Sequence, residues 1–393
     1  MSKSKIAFVT GSRADYGIMR RYLHLLNQDD SIQLSILVTG ALLDERYGKQ
    51  VSLIEEDRFF IEEEFPVAIN SSSNAAVLHN MAETLDRFGN YFETHHYDLL
   101  IILGDRYEML SVAIAAAMQR LCILHIHGGE ATYANYDEFI RHAITKMSRF
   151  HFTATEVYRR RVIQLGEAPD HVFNLGALGA ENCLFIDEKN VPEIIKNLPD
   201  KKYFVILFHP ETLTNKSTFT QINELLDAVS RHLDYTFVFL GSNADTHADI
   251  IRKNVHDFVN GHKNCVYFEN LHTDAYHYLL QHSICLIGNS SSGIIEAPSL
   301  GIYTINIGDR QSGRVRGNSV IDVRCVKDEI SNAIHKVLVV HRAIHPVNPY
   351  YQENSAIRYY NKTKEILLRI NSGSEDAPKV FYDVLSSQKK MKK

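Results

Sequence analysis

The sequence predicts an α/β protein built from two Rossmann-like, doubly wound domains. Short apolar runs alternate with amphipathic helical patterns along its 393 residues. Uninterrupted runs such as LLIIL at Leu99–Leu103 are typical of parallel strands buried on both faces. The alternation forms two series of similar size, and a chain of this length usually forms about two domains.

The first series predicts an N-terminal domain over residues 1–185. Its strands are predicted at residues 5–10, 33–39, 99–103, 121–126, 151–155 and 172–175. Helical patterns lie between them at 16–27, 75–94, 108–119 and 138–148. Six strands with intervening helices indicate a parallel sheet covered on both faces.

The second series predicts a C-terminal domain over residues 200–350. Strands are predicted at 203–208, 236–240, 265–268, 284–287 and 303–307, and helices at 222–233, 247–258, 274–280 and 293–300. The charged segment 186–201, with Pro192 and Pro199, is the predicted boundary. A last helix at 351–370 is expected to pack back on the N-terminal domain, followed by a tail at 371–393.

Composition narrows the functional class. The net charge is −5, without the excess of basic residues that is typical of nucleic-acid-binding proteins, so no nucleic-acid partner is expected. No apolar stretch reaches the ~20 residues that cross a bilayer, and no signal peptide is visible, so membrane insertion is not expected. The five cysteines are scattered and odd in number, which favours buried thiols in a reducing cytoplasm over disulfides or zinc.

The segment LHIHGGEATYANYDEFIRHAITK, residues 124–146, is the strongest candidate for acid/base chemistry. It follows a predicted strand, and ligands of open α/β sheets bind at the carboxyl ends of strands. The candidates are His127, Glu130, Asp137 and Arg141. The alternatives are a solvated loop with a helix cap, or a surface ion pair between Asp137 and Arg141.

The His125-Ile126-His127 run resembles a metal-binding pair, since residues two apart share one face of a strand. No third ligand follows at helical spacing and no HExxH occurs, so no metal is expected and a structural histidine is favoured. Asp105 follows the strongest predicted strand, where it is either a site residue or a helix cap.

Turns that suit a phosphate group occur in both halves. TGSRADYG places Arg13 at a helix start, where an anion binds or the helix is merely capped. GNSSSGIIEA offers Ser290, Ser291 and Glu296 for a diphosphate and a ribose; the alternative is a serine-rich cap. No GxGxxG occurs, so no dinucleotide cofactor is expected. Further strand-end candidates are His209, Asn243, Asp245, Arg310, Arg314 and Arg316.

Eight motifs in order carry a resemblance to a known family. They are TGSRADYG, GDRYE, HIHGGE, YDEFIRHAITK, FHPET, GSNADT, GNSSSGIIEAPS and NIGDRQ-GR-RG, from about residue 5 to about 323. Together they resemble the hydrolysing UDP-N-acetylglucosamine 2-epimerases of bacterial sialic acid synthesis. The resemblance implies the GT-B fold, in which two Rossmann-like domains face each other across a cleft, and a cytoplasmic homodimer without a cofactor.

The resemblance also implies a reaction in two stages. A base removes the C2 proton while UDP leaves from C1, and water then adds to the acetamidoglucal, giving N-acetylmannosamine and UDP. Residue by residue, it implies catalytic or positioning roles for Asp105, Asp137, Arg141 and His209, and contacts to UDP for Arg13, Ser290, Ser291, Glu296 and Arg310. Many relatives carry a catalytic glutamate where this chain has His127, so proton transfer falls to His127 or to Glu130.

Four alternatives remain open at this point. The same chemistry occurs on UDP-2,4-diacetamido-2,4,6-trideoxyglucose in legionaminic acid synthesis. A non-hydrolysing epimerase would re-add UDP and release UDP-N-acetylmannosamine. A glycosyltransferase of the same fold would need an acceptor. A sugar-nucleotide sensor would bind a UDP-sugar without turnover.

Overall fold

The computed structural model describes residues 3–133, 136–211, 214–232, 234–241, 247–340 and 346–384. The chain divides into two units. The first contains Met1–Glu130, Asp137–Leu178 and Gln352–Lys393. The second contains Ala131–Tyr136 and Gly179–Tyr351. No helix in the described ranges is long and apolar enough to span a bilayer.

The first unit is a seven-stranded parallel sheet with helices between its strands. Its strands are β1 (Ser4–Thr10), β2 (Ile32–Thr39), β3 (Ile61–Phe65), β4 (Leu99–Leu103), β5 (Ile123–Ile126), β6 (Phe150–Thr153) and β7 (Val172–Asn174). Its helices are α1 (Arg13–Asn27), α2 (Ser52–Glu56), α3 (Asn74–Thr94), α4 (Tyr107–Met118), α5 (Asp137–Met147) and α6 (Glu156–Gln164). The strand order β3-β2-β1-β4-β5-β6-β7 reverses between β1 and β4, where such sheets bind ligands.

The second unit repeats this plan with six strands in the part of the chain that is described. After the short helices α7 (Leu178–Asn182) and α8 (Glu193–Lys196) come β8 (Tyr203–Leu207), α9 (Thr218–Val229), β9 (Thr236–Leu240), α10 (Ala248–Gly261), β10 (Cys265–Phe268), α11 (Thr273–Gln281), β11 (Cys285–Gly288), α12 (Ser292–Ile295), β12 (Tyr303–Ile307), β13 (Val320–Val323) and α13 (Lys327–Val340). The order β10-β9-β8-β11-β12-β13 reverses between β8 and β11. Two doubly wound parallel sheets confirm the predicted α/β class.

The chain passes from the first unit to the second at Leu178–Gly179, before the boundary predicted at 186–201. The physical reason is packing. The Cys183 thiol lies 3.7 Å from the Glu296 carbonyl oxygen, and Gly179 lies against the Glu296 side chain. Residues 179–185 therefore belong to the second unit.

The last helix, α14 (Ser355–Asn371), packs on α1 within the first unit. The hydroxyls of Tyr22 and Thr363 are hydrogen-bonded at 2.6 Å, and the Tyr22 and Tyr359 rings meet edge to face. The Tyr359 hydroxyl donates to the Gly176 carbonyl at 2.8 Å. The end of the chain thereby stabilises the start of the first unit.

Candidate active site

Asp105 and Arg141 form an ion pair at the carboxyl end of β4. Asp105 is two residues past the strand, and Arg141 lies one turn into α5. Helix α4 has Arg106 as its N-cap residue, without a side-chain cap, so the cap interpretation of Asp105 is wrong. The carboxylate instead holds a guanidinium that is only 1% exposed.

Arg141 also joins two further segments. Its Nη1 donates to the Glu130 carbonyl oxygen at 3.0 Å and to Glu138 Oε2 at 3.1 Å. Because Arg141 is buried, the alternative of a surface ion pair is wrong. Asp137 is the first residue of α5, and Glu138 also pairs with His142 Nε2 at 3.2 Å. A single guanidinium thus connects the ends of β4 and β5 to this helix.

His127 and Glu130 lie together just past β5. His127 Nδ1 is 3.3 Å from Glu130 Oε1, and both side chains are largely buried. The backbone of His127 has φ 67°, a left-handed conformation that is uncommon outside glycine. Within the described residues, its Nε2 atom is buried without a hydrogen-bond partner. The two candidates for proton transfer therefore lie within ion-pair distance of each other.

His125 is not arranged as a metal ligand. Its Nε2 lies 2.8 Å from the Gly104 carbonyl oxygen and its Nδ1 lies 3.1 Å from Thr145 Oγ1. Burial lowers the pKa of His125 to about 3, so the ring is neutral. It is a satisfied structural histidine, which is what the sequence favoured.

The turn after β1 places charged residues at the switch point of the first sheet. Ser12 caps α1 by accepting from the Asp15 amide at 3.2 Å, and Arg13 is the first residue of that helix. Burial raises the pKa of Asp15 to about 6, against the opposing charge of Arg106. Arg106 itself pairs with the buried Glu108.

Glu296 is the centre of a polar network in the second unit. Ser292 Oγ donates to Glu296 Oε2 at 2.5 Å, and the Tyr276 hydroxyl donates to Ser292 Oγ at 2.5 Å. His277 Nε2 lies 3.5 Å from the same carboxylate oxygen. Burial alone would raise the pKa of Glu296, but hydrogen bonds from His277 and Ser292 hold it below its usual value. Glu296 is therefore a partly buried, ionised acceptor.

The serine turn before Glu296 differs from the prediction in one respect. The predicted helix 293–300 is a single turn, Ser292–Ile295, followed by non-helical turns. Ser291 is its N-cap residue, and Ser290 Oγ accepts from the Ser292 amide at 3.3 Å. Pro298, near the middle of the predicted helix, explains its early end.

His209 and Asn289 bridge the switch point between β8 and β11. The His209 amide donates to Asn289 Oδ1 at 2.7 Å, and Asn289 Nδ2 donates to the His209 carbonyl at 2.8 Å. Gly288 has φ 147°, and a Cβ there would lie 1.9 Å from the Leu207 carbonyl oxygen. Only glycine allows the ends of β8 and β11 to approach so closely.

Arg310 reaches the same point from the loop after β12. Its Nη1 donates to the Asn289 carbonyl at 3.2 Å, beside Gln311 Nε2 at 2.8 Å. The Glu211 carboxylate accepts from the Asp309 amide at 2.6 Å and from the Arg310 amide at 2.9 Å. The Glu211 carboxylate thus holds the backbone of this loop in place.

Three further residues were predicted as strand-end candidates: Arg316, Asn243 and Asp245. Arg316 pairs with Asp322 and donates to the carbonyls of Arg314 and Gln311, so its guanidinium holds the loop after β12. Asn243 and Asp245 lie outside the described residues.

Sequence reasoning missed Tyr276, His277, Asn289, Gln311 and Glu211 as parts of these networks. Glu211, Asn289 and Gln311 lie inside the family motifs FHPET, GNSSSGIIEAPS and NIGDRQ-GR-RG, and these motifs were the available signals. Tyr276 and His277 lie on a predicted helix without a motif. Their contact with residues 292 and 296 arises only from the tertiary fold.

Two doubly wound parallel sheets, each with polar side chains at its carboxyl edge, define the GT-B class of α/β proteins. A solved structure of this class, UDP-GlcNAc 2-epimerase from Neisseria meningitidis bound to UDP-GlcNAc, matches 92% of this chain and 100% of its own with a TM-score of 0.77. At 17% identity this likeness shows the fold alone. The family is shown by sequence: a model of the UDP-N-acetylglucosamine 2-epimerase family matches residues 24–364, and the chain belongs to that family.

Two curated relatives cover most of the chain. Polysialic acid biosynthesis protein P7 of Escherichia coli is 47% identical over 388 residues, which are 97% of each chain. GDP/UDP-N,N'-diacetylbacillosamine 2-epimerase (hydrolyzing) of Campylobacter jejuni is 36% identical over 327 residues, 82% of this chain and 85% of the relative. These matches confirm the resemblance that the motifs indicated.

Proposed function

We propose that this protein is a hydrolysing 2-epimerase that converts UDP-N-acetylglucosamine and water to N-acetylmannosamine and UDP. The observation that carries the proposal is the position of Arg141, which pairs with Asp105 and also binds the backbone of Glu130, the partner of His127. Acid/base groups at the ends of two neighbouring strands suit proton transfer at a sugar carbon. The relative named as hydrolysing supports loss of UDP.

In the first stage we assign the base to His127. Its Nδ1 faces Glu130 Oε1, so a proton on Nδ1 leaves Nε2 as the basic nitrogen. Nε2 removes the C2 proton as the C1–oxygen bond to UDP breaks, which forms the acetamidoglucal. Glu130 orients the imidazole and stabilises the charge that it gains, as a carboxylate does beside other catalytic histidines.

In the second stage water adds to C1 and a proton is delivered to the opposite face of C2. Asp105 and Asp137 are the candidates for donating this proton. Asp105 precedes α4 and Asp137 begins α5, and both helices start at the same edge of the first sheet. Arg141 positions Asp105. That His209 and the other residues of the second unit act on the same sugar stays a prediction.

Departure of UDP needs groups that stabilise an anion. Ser290, Ser291 and Arg310 are proposed for the diphosphate and Glu296 for the ribose hydroxyls. A role for Arg13 in binding UDP stays a prediction. Donors fixed before the reaction stabilise the leaving anion without reorganisation. Glu211, which holds the Arg310 loop through two amides, contributes to that fixed arrangement.

We place this activity at the first step of sialic acid supply for a surface polysaccharide such as a capsule, with a cytoplasmic homodimer as the working form. The name of the Escherichia coli relative, polysialic acid biosynthesis protein P7, supports this setting.

Product identification tests the proposal. Purified protein is incubated with UDP-N-acetylglucosamine alone, and the products are separated by chromatography and identified against authentic standards, because C2 epimers have equal mass. Equal amounts of UDP and free N-acetylmannosamine support it. UDP-N-acetylmannosamine would indicate the non-hydrolysing epimerase, turnover only with an added acceptor would indicate a transferase, and tight binding without turnover a sensor.

A second candidate keeps the chemistry and changes the sugar. The identity of 36% to an enzyme named for a diacetamido sugar favours testing UDP-2,4-diacetamido-2,4,6-trideoxyglucose as substrate. The comparison is of kcat/KM for the two UDP-sugars with one enzyme preparation. A larger kcat/KM for the diacetamido sugar would replace the first assignment.

A further inference from the structure

His125 and Thr145 form a fully buried hydrogen-bonded pair beneath the candidate acid/base residues. A carbonyl only accepts, so His125 Nε2 carries the proton that is donated to Gly104, 2.8 Å away. In a neutral ring Nδ1 must then accept, and the Thr145 hydroxyl is its donor at 3.1 Å. Both ring nitrogens are satisfied, and one tautomer is selected.

This pair contacts each segment that carries a candidate group. Gly104 directly precedes Asp105, and Thr145 lies four residues after Arg141, on the same face of α5. His125 lies two residues before His127. A Cβ on Gly128 would lie 3.0 Å from Thr145 Oγ1 and 3.1 Å from His125 Nδ1, so the loop from His127 to Glu130 rests directly on the pair.

We propose that His125 and Thr145 are positioning residues that set the spacing between the Asp105–Arg141 pair and the His127–Glu130 pair without touching the sugar. This inference rests on the proposed function of those two pairs. Removing the Thr145 hydroxyl leaves a buried imidazole nitrogen without its donor. The imidazole must then move, and with it the Gly104 turn and the loop that rests on the ring.

The test uses substitutions that keep size. Thr145→Val removes only the hydroxyl, and Thr145→Ser restores it. The control is Thr363→Val. Thr363 is equally buried in the same unit, lies on α14, and is hydrogen-bonded at 2.6 Å to the Tyr22 hydroxyl on α1, so its hydroxyl does not contact His125. A shift of an ångström in a reacting group costs about 100-fold in rate, so Thr145→Val should lower kcat roughly 10- to 100-fold.

The expected changes in kcat, KM, Kd and Tm distinguish a positioning role of Thr145 from a general loss of stability. Thr145→Val should change KM and the Kd for UDP less than about threefold, Thr145→Ser should restore most of kcat, and Thr363→Val should lower Tm while keeping kcat. Wild-type kcat in Thr145→Val would overturn the inference. Failure of the wild type to release UDP and free sugar would instead overturn the proposed function.

A readout without substrate completes the test. Nitrogen-15 NMR of labelled protein reports the His125 tautomer and the Arg141 guanidinium. Thr145→Val should shift the His125 Nδ1 and Arg141 signals, and Thr363→Val should leave both unchanged. Unchanged signals in Thr145→Val would contradict the inference whatever the activity.

Discussion

Arg141 pairs with Asp105 across 36 positions of sequence and binds the Glu130 carbonyl with the same guanidinium. Lysine keeps the charge but lacks the planar fork that makes these contacts together. We expect Arg141→Lys to lower kcat roughly 100-fold, because misplaced groups cost about that much, and to leave the Kd for UDP unchanged. Steady-state kinetics and calorimetry measure the two quantities.

Arg149 provides the matched control for that substitution. Like Arg141, it binds a carboxylate and a backbone carbonyl, Glu375 at 2.7 Å and Ala377 at 2.8 Å, but away from the candidate site. Arg149→Lys should keep kcat within about a factor of three of the wild type, since it changes no reacting group. Equal losses in the two variants would show that Arg141 has only a structural role.

The roles proposed for His127 and Glu130 predict unequal losses of kcat when each residue is replaced. His127→Gln should lower kcat roughly 10²- to 10⁴-fold, the usual contribution of a general base. Glu130→Gln should cost less, since Glu130 only orients the imidazole, and the double variant should resemble His127→Gln because the residues act as a unit. A larger loss in Glu130→Gln would assign the base to Glu130 instead.

The proposed contact between Glu296 and the ribose hydroxyls can be tested with a ligand that lacks those hydroxyls. Removing a hydrogen bond to a charged group costs about 1.5–3 kcal/mol, so Glu296→Gln should weaken UDP binding roughly 10- to 100-fold. The same variant should bind 2′,3′-dideoxy-UDP as the wild type does. Calorimetry with both ligands gives the coupling energy between Glu296 and the ribose hydroxyls. An equal loss of affinity for both ligands would place Glu296 away from the ribose.

Tyr276→Phe tests the network behind Glu296. It removes the donor to Ser292 Oγ, so UDP binding should weaken by only a few-fold, in line with one neutral hydrogen bond. Tyr203→Phe is the control, because its hydroxyl donates to the Leu279 carbonyl elsewhere in the second unit. Equal UDP affinity in all three proteins would show that the network does not set the Glu296 geometry.

Asp15 predicts a pH-dependent stability. Burial raises its pKa in the folded protein from 3.8 to about 6, so the folded state binds more protons than the unfolded state between these values. The free energy of unfolding should therefore fall as pH rises from about 4 through about 6. Asp15→Asn should be more stable than the wild type at pH 8 by roughly 1–3 kcal/mol, and equal to it at pH 4. Denaturant titrations at both pH values measure this, and a difference independent of pH would contradict it.

The sequence predicted the central strands of both sheets because they are continuous apolar runs. It missed two strands, Ile61–Phe65 and Val320–Val323, and both lie at sheet edges. The first reads IEEEF and the second VIDV. Edge strands are partly solvated and carry charge, so they lack the pattern of a buried strand.

The candidate site was predictable where chemistry follows a strand end and not where it depends on tertiary contacts. Asp105, His127 and Glu130 lie in strand-end motifs, and Arg141 lies in the helical motif YDEFIRHAITK that follows. The cap interpretation of Asp105 failed because its partner is 36 residues away on another helix. Pairings such as Ser292 with Tyr276, or His125 with Thr145, join separate elements, and a single sequence carries no record of them.

The most direct test of the central claim is proton NMR of the purified protein with UDP-N-acetylglucosamine in deuterated water. In the proposed reaction the C2 proton is removed and a solvent proton is returned to C2. Free N-acetylmannosamine with deuterium at C2, formed together with UDP, is the predicted result. N-acetylmannosamine that retains its original proton at C2, or a free sugar with the starting configuration, would contradict it.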